Sequence, residues 1–290
     1  MRSGYSDATL IVFGHGSTLN GESGSSVLYH ASRLSERRIF SQVCPAFWKQ
    51  EPNLNQVLAR AQSERIYIVP LFISEGHFSE FVVPAALGMR QQNETAFSRV
   101  QQLEGRFVVY CRPVGTHPGM TEVVLARAWE VGEEFPFPSQ PSPTETTLFI
   151  AGHGTPQNCN SRAAIDRQVE EIRSRNIYKS VYPVFIEEEP RIGDAYRLAS
   201  TKSVALVPFF ISDGLHVTED IPVLLGEPRE RVRQRLSEGK PTWRNPTERH
   251  GKRTWYSKSV GSHPQVTEII LARVSETEAE KDTPPVRGID

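Results

Sequence analysis

Residues 147–155 read TLFIAGHGT, and 138 residues earlier residues 9–17 read TLIVFGHGS. A repeat at a fixed long spacing indicates a duplicated structural unit, and this determines the architecture before any local prediction is made. We therefore predict two similar lobes that arose by internal duplication. Two further pairs of segments repeat at the same spacing: FWKQEP at 47–52 with FIEEEP at 185–190, and VPLFISEG at 69–76 with VPFFISDG at 207–214.

The boundaries of the lobes follow from the ends of the repeats. VGTHP at 114–118 returns as VGSHP at 260–264, a spacing of 146, so the second half carries a net insertion of eight residues between Gly226 and Val260. The segment between the halves contains four prolines, which disfavour a helix or a central strand. We predict an N-terminal lobe at 1–132, a linker at 133–145, a C-terminal lobe at 146–276 and a disordered tail at 277–290.

Short apolar runs alternate with helical patterns in both halves. Continuous apolar runs of this length are typical of strands that are covered on both faces. The alternation predicts the α/β class, with each lobe a parallel sheet flanked by helices in a flavodoxin-like or Rossmann-like topology. The apolar runs lie at 10–13, 66–72, 107–110, 148–151, 204–211 and 254–256, and the helical patterns at 27–38, 54–64, 164–175 and 267–276.

The composition excludes several classes of protein. Of 290 residues, 38% are hydrophobic and 23% charged, and the net charge of -1 favours neither nucleic acid nor an anionic membrane. No run approaches the roughly 18 apolar residues of a membrane span, so we expect a cytoplasmic protein without membrane or nucleic-acid partners. The cysteines, Cys44, Cys111 and Cys159, form no C-x-x-C pair, which disfavours disulfides and structural zinc.

Two histidines follow predicted strands at a common sheet edge. In parallel α/β sheets ligands bind beyond the carboxyl ends of the strands. His153 leaves the first strand of the second half between two glycines, and His216 follows the strand predicted at 204–211. A single G-H-G segment is equally consistent with local capping, but its recurrence in both halves favours a functional role. We expect the two imidazoles to meet within a few ångströms.

The motifs at this edge resemble one family. They are G-H-G followed by Ser or Thr, P-[LF]-F-I-S-x-G, and above all GLHVTEDIP at 214–222 with the following Leu-Leu-Gly226. This pattern resembles the class II tetrapyrrole chelatases, the sirohydrochlorin cobaltochelatases and ferrochelatases of cobalamin and sirohaem biosynthesis, over nearly the whole chain. The second half is similar to single-lobe archaeal chelatases that pair as homodimers.

The resemblance implies a lyase that inserts cobalt(II) or iron(II) into a sirohydrochlorin-type tetrapyrrole. The divalent metal is then a substrate and no cofactor is bound permanently, and the protein is a monomer or a homodimer. Imidazole suits these metals and also accepts protons, so His153 and His216 are the expected metal ligands and general bases.

Further site residues follow from the same resemblance. Glu187, two residues after Phe185, stands at the position of a family glutamate and is the third catalytic candidate. His15 and His77 are further candidate metal ligands. The candidate substrate-binding residues at the sheet edges are Gly14, Ser17, Ser74, Gly152, Gly154, Thr155, Ser212 and Gly214.

The first half departs from this pattern at two positions. Lys49 stands where the second half has Glu187, and an alignment without gaps places Phe78 opposite His216, with His77 shifted by one residue. We therefore expect the second lobe to carry the chemistry while the first covers the tetrapyrrole. His15 could still contribute from across the cleft.

Other features have structural and functional explanations that the sequence leaves open. His117 and His263 precede a proline and a helix, which favours capping, and Cys159 is expected to be a small buried residue. Residues 229–253 carry nine cations and three acids, which predicts either attraction of a carboxylate-rich substrate or a solvated helix and loop. A non-catalytic metal- or tetrapyrrole-delivery protein is the main alternative function, since no H-E-x-x-H motif supports a metallohydrolase.

Overall fold

The computed structural model describes residues 4–17, 21–91, 96–155 and 159–281. These residues form two compact units: unit 1 comprises Met1–His117 with Pro264–Asp290, and unit 2 comprises Pro118–His263. Each unit is built on a five-stranded, mostly parallel sheet flanked by helices. The predicted α/β class with two similar sheets is confirmed.

In unit 1 the strands pair in the order β2-β1-β3-β5-β4, and only the β4–β5 pair is antiparallel. Strand β1 is buried along its whole length, which matches its continuous apolar sequence. The elements up to residue 117 are β1 (Ala8–Gly14), α1 (Ser25–Glu36), β2 (Gln42–Phe47), α2 (Leu54–Arg60), β3 (Arg65–Pro70), a π-helical turn (Phe78–Val82), α3 (Val83–Ala86), β4 (Val100–Leu103) and β5 (Arg106–Tyr110).

Unit 2 repeats this arrangement with the strand order β7-β6-β8-β10-β9, in which only β9–β10 is antiparallel. Strand β6 is fully buried. The elements are α4 (Met120–Glu134), β6 (Thr146–Gly152), α5 (Cys159–Ser174), β7 (Ser180–Phe185), α6 (Ala195–Leu198), β8 (Ser203–Pro208), a π-helical turn (His216–Asp220), α7 (Ile221–Leu224), α8 (Arg229–Ser237), β9 (Thr247–Arg249) and β10 (Lys252–Tyr256).

None of the four edge strands, β2 and β4 in unit 1 and β7 and β9 in unit 2, was among the predicted strands, and β2 and β7 show one reason. Each contains a proline, Pro45 in β2 and Pro183 in β7, and each pairs only with the central neighbour, β1 or β6. A proline removes one ladder hydrogen bond, and an edge strand tolerates this loss because one of its sides has no neighbouring strand. The prolines therefore mark one edge of each sheet, and the other edges are formed by β4 and β9.

The structure differs from the predicted lobes in the position of two helices. Helix α4 packs on β8 and β10 in unit 2, and the last helix, α9 (Val266–Lys281), packs on α1 and β3 in unit 1. Each half of the sequence thus supplies a helix to the unit built on the other half. Sequence repeats cannot show this, because a duplicated helix fits equally well on either copy of the sheet.

The predicted linker and tail also differ from the structure. The predicted linker packs on unit 2: the Trp255 indole donates to the Phe135 carbonyl at 2.9 Å, and Arg253 donates to the Phe137 carbonyl at 3.2 Å. Helix α9 continues to Lys281 with Thr277 buried, so the predicted tail begins too early. The remainder of that tail, residues 282–290, lies outside the described residues.

Buried arginines attach the two helices to their units. In unit 1 the Arg273 guanidinium donates to the Pro113 carbonyl at 3.1 Å and to Thr116 Oγ1 at 2.9 Å. In unit 2 Arg127 donates to the Ser259 carbonyl at 3.0 Å and to Ser262 Oγ at 3.0 Å. Since a guanidinium offers several donors in one plane, it can bind a whole turn at once. These bonds explain why L-A-R and V-G-[TS]-H-P recur together.

Gly261, in the turn that Arg127 binds, provides a test of this packing. A Cβ at Gly261 would lie 2.1 Å from the Ile211 carbonyl oxygen, and backbone cannot move aside cheaply. We expect Gly261→Ala to lower the free energy of unfolding by about 1–3 kcal/mol, measured by urea denaturation. Gly4→Ala is the matched control, because nothing lies within 4 Å of its Cβ position. Equal stability of the two variants would contradict this close approach.

Candidate metal centre

The sheet of unit 2 brings two histidines to one edge. His153 follows directly after β6, and His216 begins the π-helical turn that follows β8. Strands β6 and β8 are parallel neighbours, so the segments that follow them leave the sheet at the same edge. A π-helical turn is an irregularity often found at functional sites.

The imidazole rings of His153 and His216 are in contact. Their centroids are 4.9 Å apart and the ring planes are inclined at 79°. Both side chains are partly exposed, 37% for His153 and 49% for His216. With imidazole–metal bonds of about 2 Å, one divalent ion is within reach of both rings at this separation. The predicted convergence of the two rings is confirmed, whereas their ligand role remains a prediction.

Hydrogen bonds define which ring nitrogens are available. His216 Nδ1 lies 2.8 Å from Asp220 Oδ2, and His153 Nδ1 lies 3.0 Å from the Gly154 carbonyl oxygen. Carboxylate and carbonyl oxygens only accept, so Nδ1–H is the donor in both rings. In the neutral rings Nε2 then carries the lone pair, which is the form that binds a metal.

Asp220 is a site residue that the sequence analysis did not assign. It lies four residues after His216 in the same helical turn, within the quoted GLHVTEDIP motif. Side chains three or four residues apart in a helix are neighbours, so this spacing was the available signal. A carboxylate bonded to the second nitrogen of a ligating histidine fixes the ring and increases its basicity.

Of three adjacent acids, the structure brings Glu187 to the histidine pair. Glu187 Oε2 lies 3.8 Å from His153 Nδ1, and the carboxylate is half exposed. Glu188 instead pairs with Arg162 at 3.1 Å, and Glu189 with Arg191 at 3.4 Å. The two neighbours therefore have structural partners, while Glu187 is available beside His153.

The glycines of the G-H-G segments lie close to neighbouring side chains, and Gly154 also has a left-handed backbone conformation. A Cβ at Gly152 would lie 2.0 Å from Ile165 Cδ1, and at Gly14 it would lie 2.5 Å from Val27 Cγ2. Gly154 has φ of +62° and its Cβ would lie 2.8 Å from Phe185 Cβ. These contacts explain the glycines without a ligand, so the predicted substrate contact is not needed to account for them.

The other predicted substrate-binding residues also lie at the sheet edges. The Gly214 carbonyl accepts from Thr218 Oγ1, the Ser74 carbonyl accepts from Ser79 Oγ, and the Ser17 amide donates to Gln50 Oε1. Thr155 and Ser212 are half-buried. Their predicted contact with substrate remains a prediction.

The corresponding edge of unit 1 is aromatic. His15 contacts Phe78 at a centroid distance of 5.2 Å, and Phe78 also contacts Trp48 and Phe72 at 5.3 Å each. The His77 ring stacks on Phe81 at 5.0 Å. Phe78 thus occupies in unit 1 the position that His216 occupies in unit 2, as the alignment without gaps predicted. The ring that contacts His15 is therefore the phenyl of Phe78 and not the imidazole of His77.

The first histidine of the two V-G-[TS]-H-P turns, His117, is not the N-cap residue of the helix that follows it. Helix α4 has Gly119 at its N-cap, without a side-chain cap bond. His117 Nε2 instead lies 3.2 Å from Glu276 Oε1, and His263 Nε2 lies 3.0 Å from Glu130 Oε1. These histidines therefore belong to the attachment of α4 and α9, beside the buried arginines.

The basic stretch at 229–253 is largely bound within unit 2. Arg229 and Arg233 both pair with Glu219 at 2.9 Å. Lys252 donates to the carbonyls of Ala199 and Thr201. Further bonds join Arg235 to the Thr242 carbonyl, Lys240 to Glu238, Arg249 to Glu227 and Arg253 to Glu248. Much of this positive charge is therefore paired within unit 2.

In the part of the chain that the structure describes, no set of three or more His, Cys, Asp or Glu side chains is placed to hold a metal ion. Cys159 begins α5, but its side chain lies outside the described residues. None of the described helices is both long and apolar enough to cross a membrane.

Comparison with known proteins identifies the family and agrees with this fold. The chain matches the CbiX family model twice, at residues 9–131 and 147–277. It is 34% identical, over 93% of its length and 91% of the relative, to a Halobacterium salinarum protein named "Probable sirohydrochlorin cobaltochelatase". It is also 34% identical to the sirohydrochlorin cobaltochelatase of Methanocaldococcus jannaschii, over 27% of this chain and 57% of that protein.

Solved structures show the same two-sheet fold. A multi-domain protein of Deinococcus radiodurans, described as structurally similar to chelatases with two additional domains, matches with a TM-score of 0.74 and 28% identity, over 93% of this chain and 55% of that chain. The cobalt complex of the sirohydrochlorin chelatase SirB from Bacillus subtilis subspecies spizizenii matches with a TM-score of 0.59 and 16% identity, over 95% and 96% of the two chains. The fold is thus that of the two-lobed chelatases. The chain belongs to the CbiX family.

The buried His263 gives unit 2 a predictable response to acid. Burial, and next the charge of Arg127, lower the pKa of His263 from its ordinary 6.5, although Glu130 acts in the opposite direction. Below pH 6.5 the unfolded chain therefore binds a proton here more readily than the folded chain, so stability falls as the pH falls. Well above pH 6.5 the His263 ring is neutral in both the folded and the unfolded chain, so it does not make the stability depend on pH there.

We expect His263→Asn to reduce this loss of stability in acid. The measurement is the urea midpoint at a series of pH values on both sides of 6.5, with His77→Asn, at an exposed position, as the control. A slope in the His263→Asn variant as steep as that of the wild type would show that another group causes the acid response.

Proposed function

We propose that this protein inserts cobalt(II) or iron(II) into sirohydrochlorin or a related carboxylate-rich tetrapyrrole, and that unit 2 carries the chemistry. The observation that carries the proposal is the contact between His153 and His216, with ring centroids 4.9 Å apart at an exposed sheet edge. Membership of the CbiX family and the names of its relatives support the reaction class.

In this proposal the metal is a substrate that passes through the site. The Nε2 atoms of His153 and His216 bind the incoming ion while it sheds water. Two protein ligands leave coordination positions open for the pyrrole nitrogens, whereas a closed four-ligand site would retain the ion. Imidazole accepts both cobalt(II) and iron(II), which is why the proposal includes either metal.

The same residues also remove protons. Metal insertion releases two pyrrole N–H protons, and the Nε2 lone pairs of the two imidazoles can accept them once the ion has passed from Nε2 to the pyrrole nitrogens. We assign to Glu187, 3.8 Å from His153 Nδ1, the transfer of protons from the site to solvent. Asp220 is a positioning residue, because it acts on the metal through the His216 ring.

The difference between the units supports a single centre. Unit 1 places Phe78 against His15, where unit 2 places the second imidazole, and Lys49 stands at the position of Glu187. A phenyl ring offers no lone pair to a divalent ion, and an ammonium group repels it. We therefore assign the ion to His153 and His216, and give His15 and His77 no share in holding it.

Alanine substitutions test the assignment to unit 2. We expect His153→Ala and His216→Ala each to lower the rate of metal insertion by about 100-fold or more, because each removes a ligand and a base. His77→Ala, an exposed histidine in the matching turn of unit 1, should retain a rate close to that of the wild type. The measurement is the absorbance change of sirohydrochlorin with cobalt(II) and, separately, with iron(II).

Two outcomes of this assay would contradict the proposal. If His77→Ala lost as much activity as His216→Ala, the centre would not be confined to unit 2. If the wild type bound cobalt(II) and sirohydrochlorin without accelerating insertion over the uncatalysed rate, the chain would be a delivery protein instead of an enzyme.

Asp220 provides a graded test of the positioning role. Asp220→Ala removes the acceptor for His216 Nδ1–H and should weaken cobalt(II) binding by about 10–100-fold. Asp220→Asn keeps an acceptor oxygen and should retain most of the affinity. Titration calorimetry with cobalt(II) alone measures both variants. Unchanged affinity in Asp220→Ala, with affinity lost in His216→Ala, would remove Asp220 from the account.

A further inference from the structure

Unit 2 contains a pocket of about 850 Å³ that the metal centre does not use. It lies between the end of α4, the end of α8, the following loop and the end of β10, and Val217 and Thr218, which directly follow His216, also line it. Neither His153 nor His216 is among its lining residues. The volume is in the range of sites for small organic molecules.

The walls of the pocket are largely apolar and partly aromatic. Phe135 from the end of α4, Leu236 from α8, Trp243 from the loop and Tyr256 from β10 line it. The Trp243 and Tyr256 rings contact each other at a centroid distance of 6.0 Å. The two ring planes are inclined at 73°, so a flat apolar body can stack on one ring and contact the edge of the other.

One buried polar atom in this wall lacks a partner. The Trp243 side chain is only 6% exposed, and its Nε1 is buried without a hydrogen-bond partner among the described residues. An indole N–H can only donate, and buried donors in folded proteins are normally paired. The tyrosine beside it is satisfied, since the Tyr256 hydroxyl donates to the Val217 carbonyl at 2.7 Å.

The charged residues of the pocket favour an anion. Five cations and three acids line it. Arg127, Glu130 and Asp213 are bonded within the wall, and Arg235 and Lys240 bond to Thr242 and Glu238. Among the described residues, the side chains of Arg244 and Lys258 have no bonding partner. Glu134 is the one acid of the lining whose side chain also has no partner there. Two unpaired cations against one acid leave positive charge for a ligand.

We propose that this pocket binds an amphipathic organic anion, with a flat apolar body against Trp243 and Tyr256 and a carboxylate bound by Arg244 and Lys258. The site is separate from the metal centre and does not depend on the proposed function. Its ligand chemistry has two sources, a carboxylate-bearing tetrapyrrole or a separate small aromatic carboxylate. The eight-residue insertion of the second half lies in the segment that provides Trp243 and Arg244.

The test uses the full chain and the fluorescent anion 1-anilinonaphthalene-8-sulfonate. We expect Arg244→Gln and Lys258→Gln each to weaken its binding by about tenfold, and the double variant to weaken it further, because each removes a charged donor. Arg231→Gln is the matched control, since Arg231 is an exposed arginine of α8 outside the lining. N-phenyl-1-naphthylamine, which has the same body without the sulfonate, should bind all variants alike.

The two sources are separated by competition. Displacement of the probe by sirohydrochlorin, with a raised KM for it in the double variant, identifies the tetrapyrrole as the occupant. Displacement by indole-3-acetate but not by sirohydrochlorin identifies a separate small carboxylate. Thermal melting shows whether each variant is folded. Undiminished probe binding in a folded double variant, or an equal loss in Arg231→Gln, would overturn the proposal whether or not the protein proves to be a chelatase.

Discussion

The contact between the His153 and His216 rings depends on a constraint of the sheet. Two adjacent parallel strands, β6 and β8, end at the same edge, so the segments that follow them must share one small region. Each ring is fixed further by its own Nδ1 bond, to the Gly154 carbonyl or to Asp220. The bonded Nδ1–H groups leave Nε2 as the basic nitrogen of both rings. Strand β6 is fully buried, so His153 follows directly from a well-packed element, and the proposed two-ligand site depends on such support.

Duplication preserved the scaffold and let the two edges diverge. The buried arginine bonds to the V-G-[TS]-H-P turns occur in both units, where they attach α4 and α9. The residues at the two sheet edges differ. In unit 1 a phenylalanine and a lysine stand where unit 2 has His216 and Glu187, and the aromatic contacts of Phe78 fill that edge. Both units therefore retain the V-G-[TS]-H-P motif, whereas only unit 2 retains the residues of the proposed chemistry.

Much of the fold could be predicted from the sequence, because the repeat and the apolar runs are strong local signals. The convergence of His153 and His216 also followed, since topology alone places both after parallel strands. The predictions that were wrong depended on tertiary packing: helices α4 and α9 lie on the opposite copies of the sheet, and the N-cap of α4 is Gly119 and not His117, whose ring pairs with Glu276. Asp220 was missed although its spacing from His216 was visible, because one carboxylate among several in a motif has no distinct pattern. Several partners of the basic stretch lie outside it, such as Glu219 and the backbone carbonyl of Ala199, so this pairing could not be predicted from the charges of the stretch alone.

The most direct test of the account is the location of a bound ion. Anomalous diffraction from crystals of the full chain soaked with cobalt(II) would show it without reference to activity. The account predicts a single strong peak at the edge of unit 2, about 2 Å from Nε2 of both His153 and His216. A peak at His15 or His77 with none between His153 and His216 would contradict it.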